Sequence, residues 1–362
     1  MTPEALPILD LWIHPKDFID LKKDIWNDEP VDAVIKIGKM KSHVYISFRG
    51  SHIRKLKKKS YQIEYRKPKM RGGEALFHLN AEFNDPSLIR NRLSFYFFEQ
   101  IGVLSPSASH VFLTINGKKE GIYLKIESVD QHFLKKRHRT EGAIYYAVDD
   151  DANFSLLSSF DKQPKKHLLL GYEKMLGSVH HDQRLSEFIY FVNTATDDAF
   201  AKDIDKYLDV KQYFLWLIGV VCTQNFDGFV HNYALYVNNT GHFHVLPWDY
   251  DATWGRDIHG EEMEHDYIPA SGFNTLTARL LDIPSFKTSY YTLLNNVLNT
   301  HFTVERLYPV ITLWHESFEK FIEKDPYLKE KKNVLQAERD LIKKYINKRR
   351  RYLQNEIKKE TE

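Results

Sequence analysis

The chain has 362 residues, more than one simple domain usually needs, and its hydrophobic fraction of 43% with 23 Phe and 21 Tyr argues for a sizeable core and against disorder. Basic and acidic residues nearly cancel, 51 against 49, so the net charge of +2 gives no bulk electrostatic reason to bind nucleic acid. A single cysteine, Cys222, excludes an intramolecular disulfide framework. It lies in the apolar run Phe214–Cys222, where it reads as a buried, inert thiol, and that run is far short of the roughly 20 residues of a membrane span. No basic region followed by an apolar stretch opens the chain, so neither a signal peptide nor a membrane partner is expected; the protein reads as soluble and made in a cytosol.

Residues 1–28 read as an N-terminal extension with one amphipathic helix, its apolar side formed by Phe18, Leu21, Ile25 and Trp26. Over 31–66 the alternation of Ala33, Ile35, Ile37 and of Val44, Ile46, Phe48 predicts two strands, and Ser60–Tyr65 a third. Between the last two lies a loop, Arg49-Gly50-Ser51-His52-Ile53-Arg54, running into Lys55–Lys59. Gly, Ser and cations on such a loop can hold a phosphate through backbone N–H, hydroxyl and charge together. Arg49, Gly50 and Ser51 are therefore candidate phosphate ligands, while Lys55, Lys57 and Lys58 read first as solvated surface. Lys59 differs because it is expected to open a strand, which fixes its direction; Lys58 is the neighbouring candidate.

Asp85 and Pro86 read as the N-cap and first position of a helix with Leu88, Leu93, Phe97 and Ile101 on or near one side, ended by Gly102. Arg90 reads as a surface residue, with a contact to phosphate as the alternative. Val111–Ile115, Asn116-Gly117 and Gly121–Glu127 predict a hairpin, followed by a helix over 129–138. Glu127 is either an acceptor for a bound base or a partner of the basic Lys135-Lys136-Arg137. Asp149-Asp150-Asp151 reads by default as an exposed acidic loop, with a secondary cation or substrate site as the alternative.

Helices over 182–222 lead directly into Asp227. From there, Asp227 and Asn232 stand at the entry of a hairpin, Tyr233–Val237 and His242–Leu246 about an Asn238-Asn239-Thr240-Gly241 turn, and Asp249 stands at its exit. The entry and exit of a hairpin are close, so the three side chains can converge. Asp-x-x-x-x-Asn, a hairpin, then Asp resembles the polar skeleton of a protein-kinase active site. In that reading Asp227 orients a substrate hydroxyl. Asn232 and Asp249 offer oxygen donors to Mg²⁺, with Mn²⁺ as the alternative, and Asp251 is either a further ligand or a turn cap. Lys59 would contact the non-transferred phosphates of ATP. No His-Arg precedes Asp227, Trp248-Asp249-Tyr250 replaces Asp-Phe-Gly, and no Glu sits in mid-helix near Arg90 to pair with the lysine.

Several longer strings carry a more specific likeness: Phe48–Arg54, Asn84–Leu88, Tyr146–Phe154, Asp227–Tyr236 and Pro247–Gly255 resemble the spore coat protein H (CotH) family along nearly the whole chain. The resemblance implies an atypical protein serine kinase that phosphorylates other spore coat proteins, made in the mother cell and deposited in the coat. It implies an α+β, two-lobed kinase-like fold. A small β-rich nucleotide-binding lobe would span 29–138, and a larger, mostly helical catalytic lobe with a C-terminal helix would span 139–362.

Beyond Asp249, Trp254–Asp266 is polar and acidic, and Glu261, Glu262 and Glu264 there would attract a substrate serine set among Lys or Arg. Residues 274–325 read as helical. The tail from Leu328 reads as a long amphipathic helix whose Lys348-Arg349-Arg350-Arg351 is solvated. Two other classes remain. A metal-dependent hydrolase could draw on His231, His242, His244, Asp249 and Asp251, but no HExxH motif is present. A non-catalytic coat scaffold on a kinase-like fold is favoured by the missing helix Glu and missing Gly-rich fingerprint. Retention of Asp227, Asn232 and Asp249 argues against it.

Overall fold

The computed structural model describes residues 6–66, 74–328 and 333–361; residues 1–5 of the expected N-terminal extension lie outside them. The strands, in chain order, are β1 (Ile8–Ile13), β2 (Val31–Ile37), β3 (Met40–Phe48), β4 (Tyr61–Tyr65), β5 (Leu76–Asn80), β6 (Ala108–Ile115), β7 (Lys118–Glu127), β8 (Ala143–Ala147), β9 (Tyr172–Leu176), β10 (Tyr233–Val237) and β11 (Phe243–Pro247). The helices are α1 (Pro15–Lys23), α2 (Arg90–Gln100), α3 (Gln131–Lys136), α4 (Val179–Thr194), α5 (Asp197–Asp203), α6 (Val210–Thr223), α7 (Thr275–Leu281), α8 (Pro284–Thr300), α9 (Val304–Ile322) and α10 (Val334–Thr361). The protein is thus α+β, and it divides into two compact units.

The first unit comprises Met1–Arg92, Pro106–Ser128 and Tyr308–Asp340. Among the described residues, seven strands of this unit close into a barrel in the order β1-β2-β3-β4-β5-β7-β6. Closure comes from β1, which runs antiparallel to β2 and parallel to β6, with Leu9 opposite Leu113 and Leu11 opposite Ile115. Residues 1–28, expected to be an extension with one helix, therefore supply a barrel strand as well. Leu9, Leu11 and Ile13 point inward to meet Ile35, Ile46, Ile63, Phe77 and Leu113. The β6–β7 hairpin turns on Asn116 and Gly117, both at positive φ (52° and 77°), as a two-residue turn that matches strand twist requires.

Asp85 and Pro86 open a turn and not the helix. The Asp85 carboxylate accepts N–H from Ser87 (2.8 Å) and from Arg90 (2.9 Å), Leu88 takes φ 63°, and α2 starts only at Arg90. Arg90 is fully buried, not on the surface: it pairs with Asp85 at 2.5 Å and with Glu338 at 2.7 Å.

The second unit comprises Leu93–Ser105, Val129–Leu307 and Leu341–Glu362. Its sheet has the order β11-β10-β8-β9. Helix α6 is almost wholly apolar and buried along most of its length, and Cys222 near its end is inert: burial pushes the thiol up to about 12. Gly219 permits this packing, since a Cβ there would lie 2.1 Å from the Phe98 ring. The β10–β11 turn is closed by Asn238, whose side-chain oxygen accepts from Thr240 N (3.0 Å) and His242 N (2.9 Å). Among the described residues no helix is long and apolar enough to cross a membrane.

Candidate active site

The loop that carries Asp227 begins where α6 ends. Gln224 adopts φ 57° and stops the helix, and the buried Asn225 then braces the loop on both sides of the hairpin. Its side-chain oxygen accepts from Gly228 N at 3.1 Å, and its amide donates to the Asp249 carbonyl at 3.2 Å. One side chain thus joins the segment before the hairpin to the segment after it. Asp227–Phe229 forms a single 3₁₀ turn, and His231 N donates to the Asp227 carbonyl at 2.9 Å. Asn232, at φ 56°, donates its N–H to the Ala147 carbonyl (3.1 Å) and accepts Trp248 N–H (3.2 Å). Asp249 comes next to Trp248 at φ 60°, so both hairpin ends are held in the left-handed region that L residues seldom adopt.

The charges gather accordingly. Asp227 is partly buried, and that burial raises its carboxyl above the usual range; the neighbouring His231 opposes the shift, while the negative charges of Asp150 and Asp249 add to it. The His231 Nδ1 lies 2.7 Å from the Asp150 carboxylate and its Nε2 lies 3.7 Å from that of Asp227. Asp249 is exposed and Asp251 partly so.

This donor set fits a hard divalent cation. It is made of carboxylate and amide oxygens, and crowded negative charge is relieved by a positive ion. It is not a closed all-protein cage. Among the described residues, the group of three His, Cys, Asp or Glu donors found within 4.8 Å of one another is Glu264, His265 and Asp266, outside this loop. An open set suits Mg²⁺, which keeps waters and shares phosphate oxygens.

The Asp149-Asp150-Asp151 run is divided among three tasks and is not one acidic loop. Asp149 accepts the Asp151 N–H at 2.9 Å, and Asp150 faces His231. Asp151 is buried, taking Ser159 N at 2.7 Å and Ser158 Oγ at 3.2 Å. Lys165 donates to the Asp151 carbonyl and the Asn153 side chain, so an internal ammonium already supplies positive charge there.

In the barrel unit the phosphate-loop candidates are ordered by protein contacts. Arg49 donates to the Asn80 side chain at 2.6 Å. Gly50, at φ 87°, packs so closely on Ile53 that a Cβ would lie 2.4 Å from its Cγ1, and its carbonyl accepts Arg54 Nε at 2.6 Å. Ser51 is exposed. The expectation for Lys59 needs correcting: β4 begins at Tyr61, so Lys59 does not open a strand, and its ammonium donates to the Arg54 carbonyl. Its neighbour Lys58 is fully buried. It donates to the Ile122 carbonyl, lies 3.5 Å from Asp325 and sits 4.6 Å from the centre of the Tyr123 ring. Its carboxylate partner is hidden in the sequence because Asp325 precedes Pro326 and reads as a turn former; it does form that turn, accepting Tyr327 N at 2.7 Å. Glu127 accepts from Ser107 N (3.0 Å) and Oγ (2.9 Å), a local structural task.

A model of the CotH kinase protein family matches residues 46–353. The chain belongs to this family. It is 50% identical over 353 residues to the inner spore coat protein H of Bacillus subtilis (strain 168), covering 97% of this chain and 98% of that protein. It is 38% identical over 298 residues to the inner spore coat protein H-like protein of the same organism, covering 82% and 85%. Among solved structures it is similar to the Helicobacter pylori proinflammatory kinase CtkA, with 10% identity, a TM-score of 0.36 and coverage of 98% and 99%.

In this CotH kinase family chain the acidic segment after Asp249 is ordered. Asp257 accepts from His259 N (2.8 Å) and Glu261 N (2.9 Å), and Arg256 donates to the Gly260 carbonyl (2.7 Å). Glu261, Glu262 and Glu264 remain exposed. The segment is anchored by Arg349. Expected in water, that residue is instead fully buried and donates to the carbonyls of Val221, His265 and Ile268.

Proposed function

We propose that the chain is an ATP-dependent protein serine kinase of the spore coat, acting on serines in Lys- or Arg-rich segments of other coat proteins and contributing to coat assembly. The observation that carries the reading is the Asn225 bridge, which ties the Asp227 loop to Asp249 across the β10–β11 hairpin. Asp227 would receive the hydrogen bond of the acceptor hydroxyl and aim its oxygen in line with the transferred phosphoryl group. Asn232 and Asp249, with Asp251 as a further donor, would hold the divalent cation, whose charge screens phosphate oxygens when bound. On the barrel unit, Arg49, Gly50, Ser51 and Lys59 are the candidate phosphate ligands. Glu127 is kept as a weaker candidate beside the base, since Ser107 already occupies one of its oxygens. Spore-coat location is supported by the two Bacillus subtilis relatives and their names.

The test is phosphosite mapping after incubation with ATP and Mg²⁺ or Mn²⁺. A Ser/Arg- or Ser/Lys-rich peptide should acquire phosphoserine. The same peptide with its basic residues replaced by Gln should be a poor acceptor. ATP binding without transfer to any peptide, or to the protein itself, would favour the scaffold reading.

A further inference from the structure

Asp150 and His231 are 81 residues apart in sequence, yet their side chains meet at 2.7 Å. The contact is built from several directions. Asn232 N–H on the Ala147 carbonyl draws the end of β8 to the catalytic loop. Val148 N donates to the Gly171 carbonyl at 2.8 Å. Gly171 sits at φ 86°, where a Cβ would lie 2.3 Å from Ala152 N and 2.8 Å from the Asp149 carboxylate. Ser159 Oγ donates to the Asp150 carbonyl at 2.6 Å. Asp149 and Asp151 are turned to local bonds, which leaves Asp150 as the member of the run aimed at the loop.

On its other side the His231 ring faces Asp227, Nε2 to carboxylate at 3.7 Å. Such contacts are often long before substrate binds. A short Nδ1 contact to a carboxylate assigns the proton to Nδ1 and fixes the ring plane. The Asp150 side chain is 47% exposed, so its ion pair with His231 adds little to stability.

We propose that Asp150 and His231 are positioning residues for Asp227: Asp150 locks the imidazole through Nδ1–H, and the ring so fixed stands beside the Asp227 carboxylate and limits it to its working orientation. This rests on the kinase reading above, in which Asp227 receives the acceptor hydroxyl.

The experiment compares peptide phosphorylation by the native chain, Asp150→Ala, Asp150→Asn, His231→Ala and Asp227→Ala. Asp150→Ala is expected to lower kcat about tenfold, the range typical of outer-shell partners. KM for ATP should stay within about twofold, because nucleotide binding is untouched. Asp150→Asn keeps an oxygen acceptor for Nδ1–H and should recover most of the loss, whereas a merely structural role predicts a lower melting temperature and no such recovery. Imidazole ¹⁵N spectra give a readout apart from transfer: the Nδ1–H signature of His231 should be present in the native chain and Asp150→Asn and absent in Asp150→Ala. An unchanged kcat in Asp150→Ala, with transfer still lost in Asp227→Ala, overturns the positioning role and leaves the kinase reading standing. A His231 spectrum identical in the native chain and Asp150→Ala overturns it as well. No transfer by the native chain overturns the kinase reading and this proposal with it.

Discussion

Arg349 donates to the Val221 carbonyl from two nitrogens, Nε at 3.1 Å and Nη2 at 2.9 Å, while its Nη1 reaches the carbonyls of His265 (2.9 Å) and Ile268 (2.7 Å). The guanidinium therefore caps the last turn of α6, just before the loop that leads to Asp227, and ties down the acidic segment with the same fork. Replacement by Met would orphan buried carbonyls at about 1–3 kcal/mol each. Arg349→Met is expected to lower the urea midpoint markedly, and Arg349→Lys to restore only part, because a single ammonium lacks the planar fork. A midpoint unchanged in Arg349→Met would show that the three carbonyls find other donors.

In the barrel unit, Lys58 and Asp325 do not bear equal loads. Asp325 also accepts Ile122 N (2.7 Å) and Tyr327 N (2.7 Å), whereas Lys58 has Asp325 and the Ile122 carbonyl. Breaking a buried pair costs about 3–5 kcal/mol. Asp325→Ala should exceed Lys58→Met in that range, since it strands a buried ammonium and two backbone N–H groups. Equal losses in denaturant unfolding would contradict this asymmetry.

His315 gives the barrel unit an acid-sensitive slope. Its Nε2 donates to the Ser87 carbonyl at 3.0 Å, while Nδ1 is buried without a hydrogen-bond partner among the described residues. Burial lowers its pKa from 6.5 to about 4. Between those values the unfolded chain takes up a proton that the native chain refuses, so native stability falls as pH drops through the window, by up to about 3 kcal/mol. His78 and His110, also depressed chiefly by burial, act in the same direction. Asp227, whose carboxyl is raised, acts with the opposite sign. His315→Gln keeps a donor for Ser87 and should flatten the slope of stability against pH between 4 and 6.5; an unaltered slope would remove His315 from the account.

Glu261, Glu262 and Glu264 are the exposed carboxylates of the acidic segment. Exposed ion pairs contribute about 0.2–1 kcal/mol each, so changing all three to Gln should raise KM for a basic peptide roughly threefold to a hundredfold at low salt. The effect should shrink as ionic strength rises, and ATP affinity should not change. Peptide kinetics identical to those of the native chain would remove the segment from substrate recognition.

How much of this is legible in the sequence depends on sequence separation and on which faces are buried. Strands β2 and β3 declare themselves because their alternating apolar residues line the barrel. Strand β1 does not, because Ile8 and Trp12 on its outer side are apolar too and hide the alternation. The β10–β11 hairpin is readable from its Asn-Asn-Thr-Gly turn, as are the residues at its two ends. The buried charges are not: Arg90 finds Glu338 248 residues away, and Lys58 finds Asp325 only through folding. Arg349 is hidden in a basic run whose other members suggest water. The three adjacent aspartates carry no local sign that one faces a histidine, one is buried and one closes a turn.

Transfer of labelled γ-phosphate from ATP, with Mg²⁺ or Mn²⁺, to a Ser/Arg-rich peptide and to the chain itself is the decisive measurement of whether Asp227 and Asp249 serve phosphoryl transfer. Native protein would run beside Asp227→Asn and Asp249→Asn, which preserve side-chain size. Transfer by the native chain is expected, with a loss of at least about a hundredfold in each variant, the scale of a positioned acid–base group or a metal-linked carboxylate. Transfer that survives in both variants, or that the native chain never performs while binding ATP, would contradict that role.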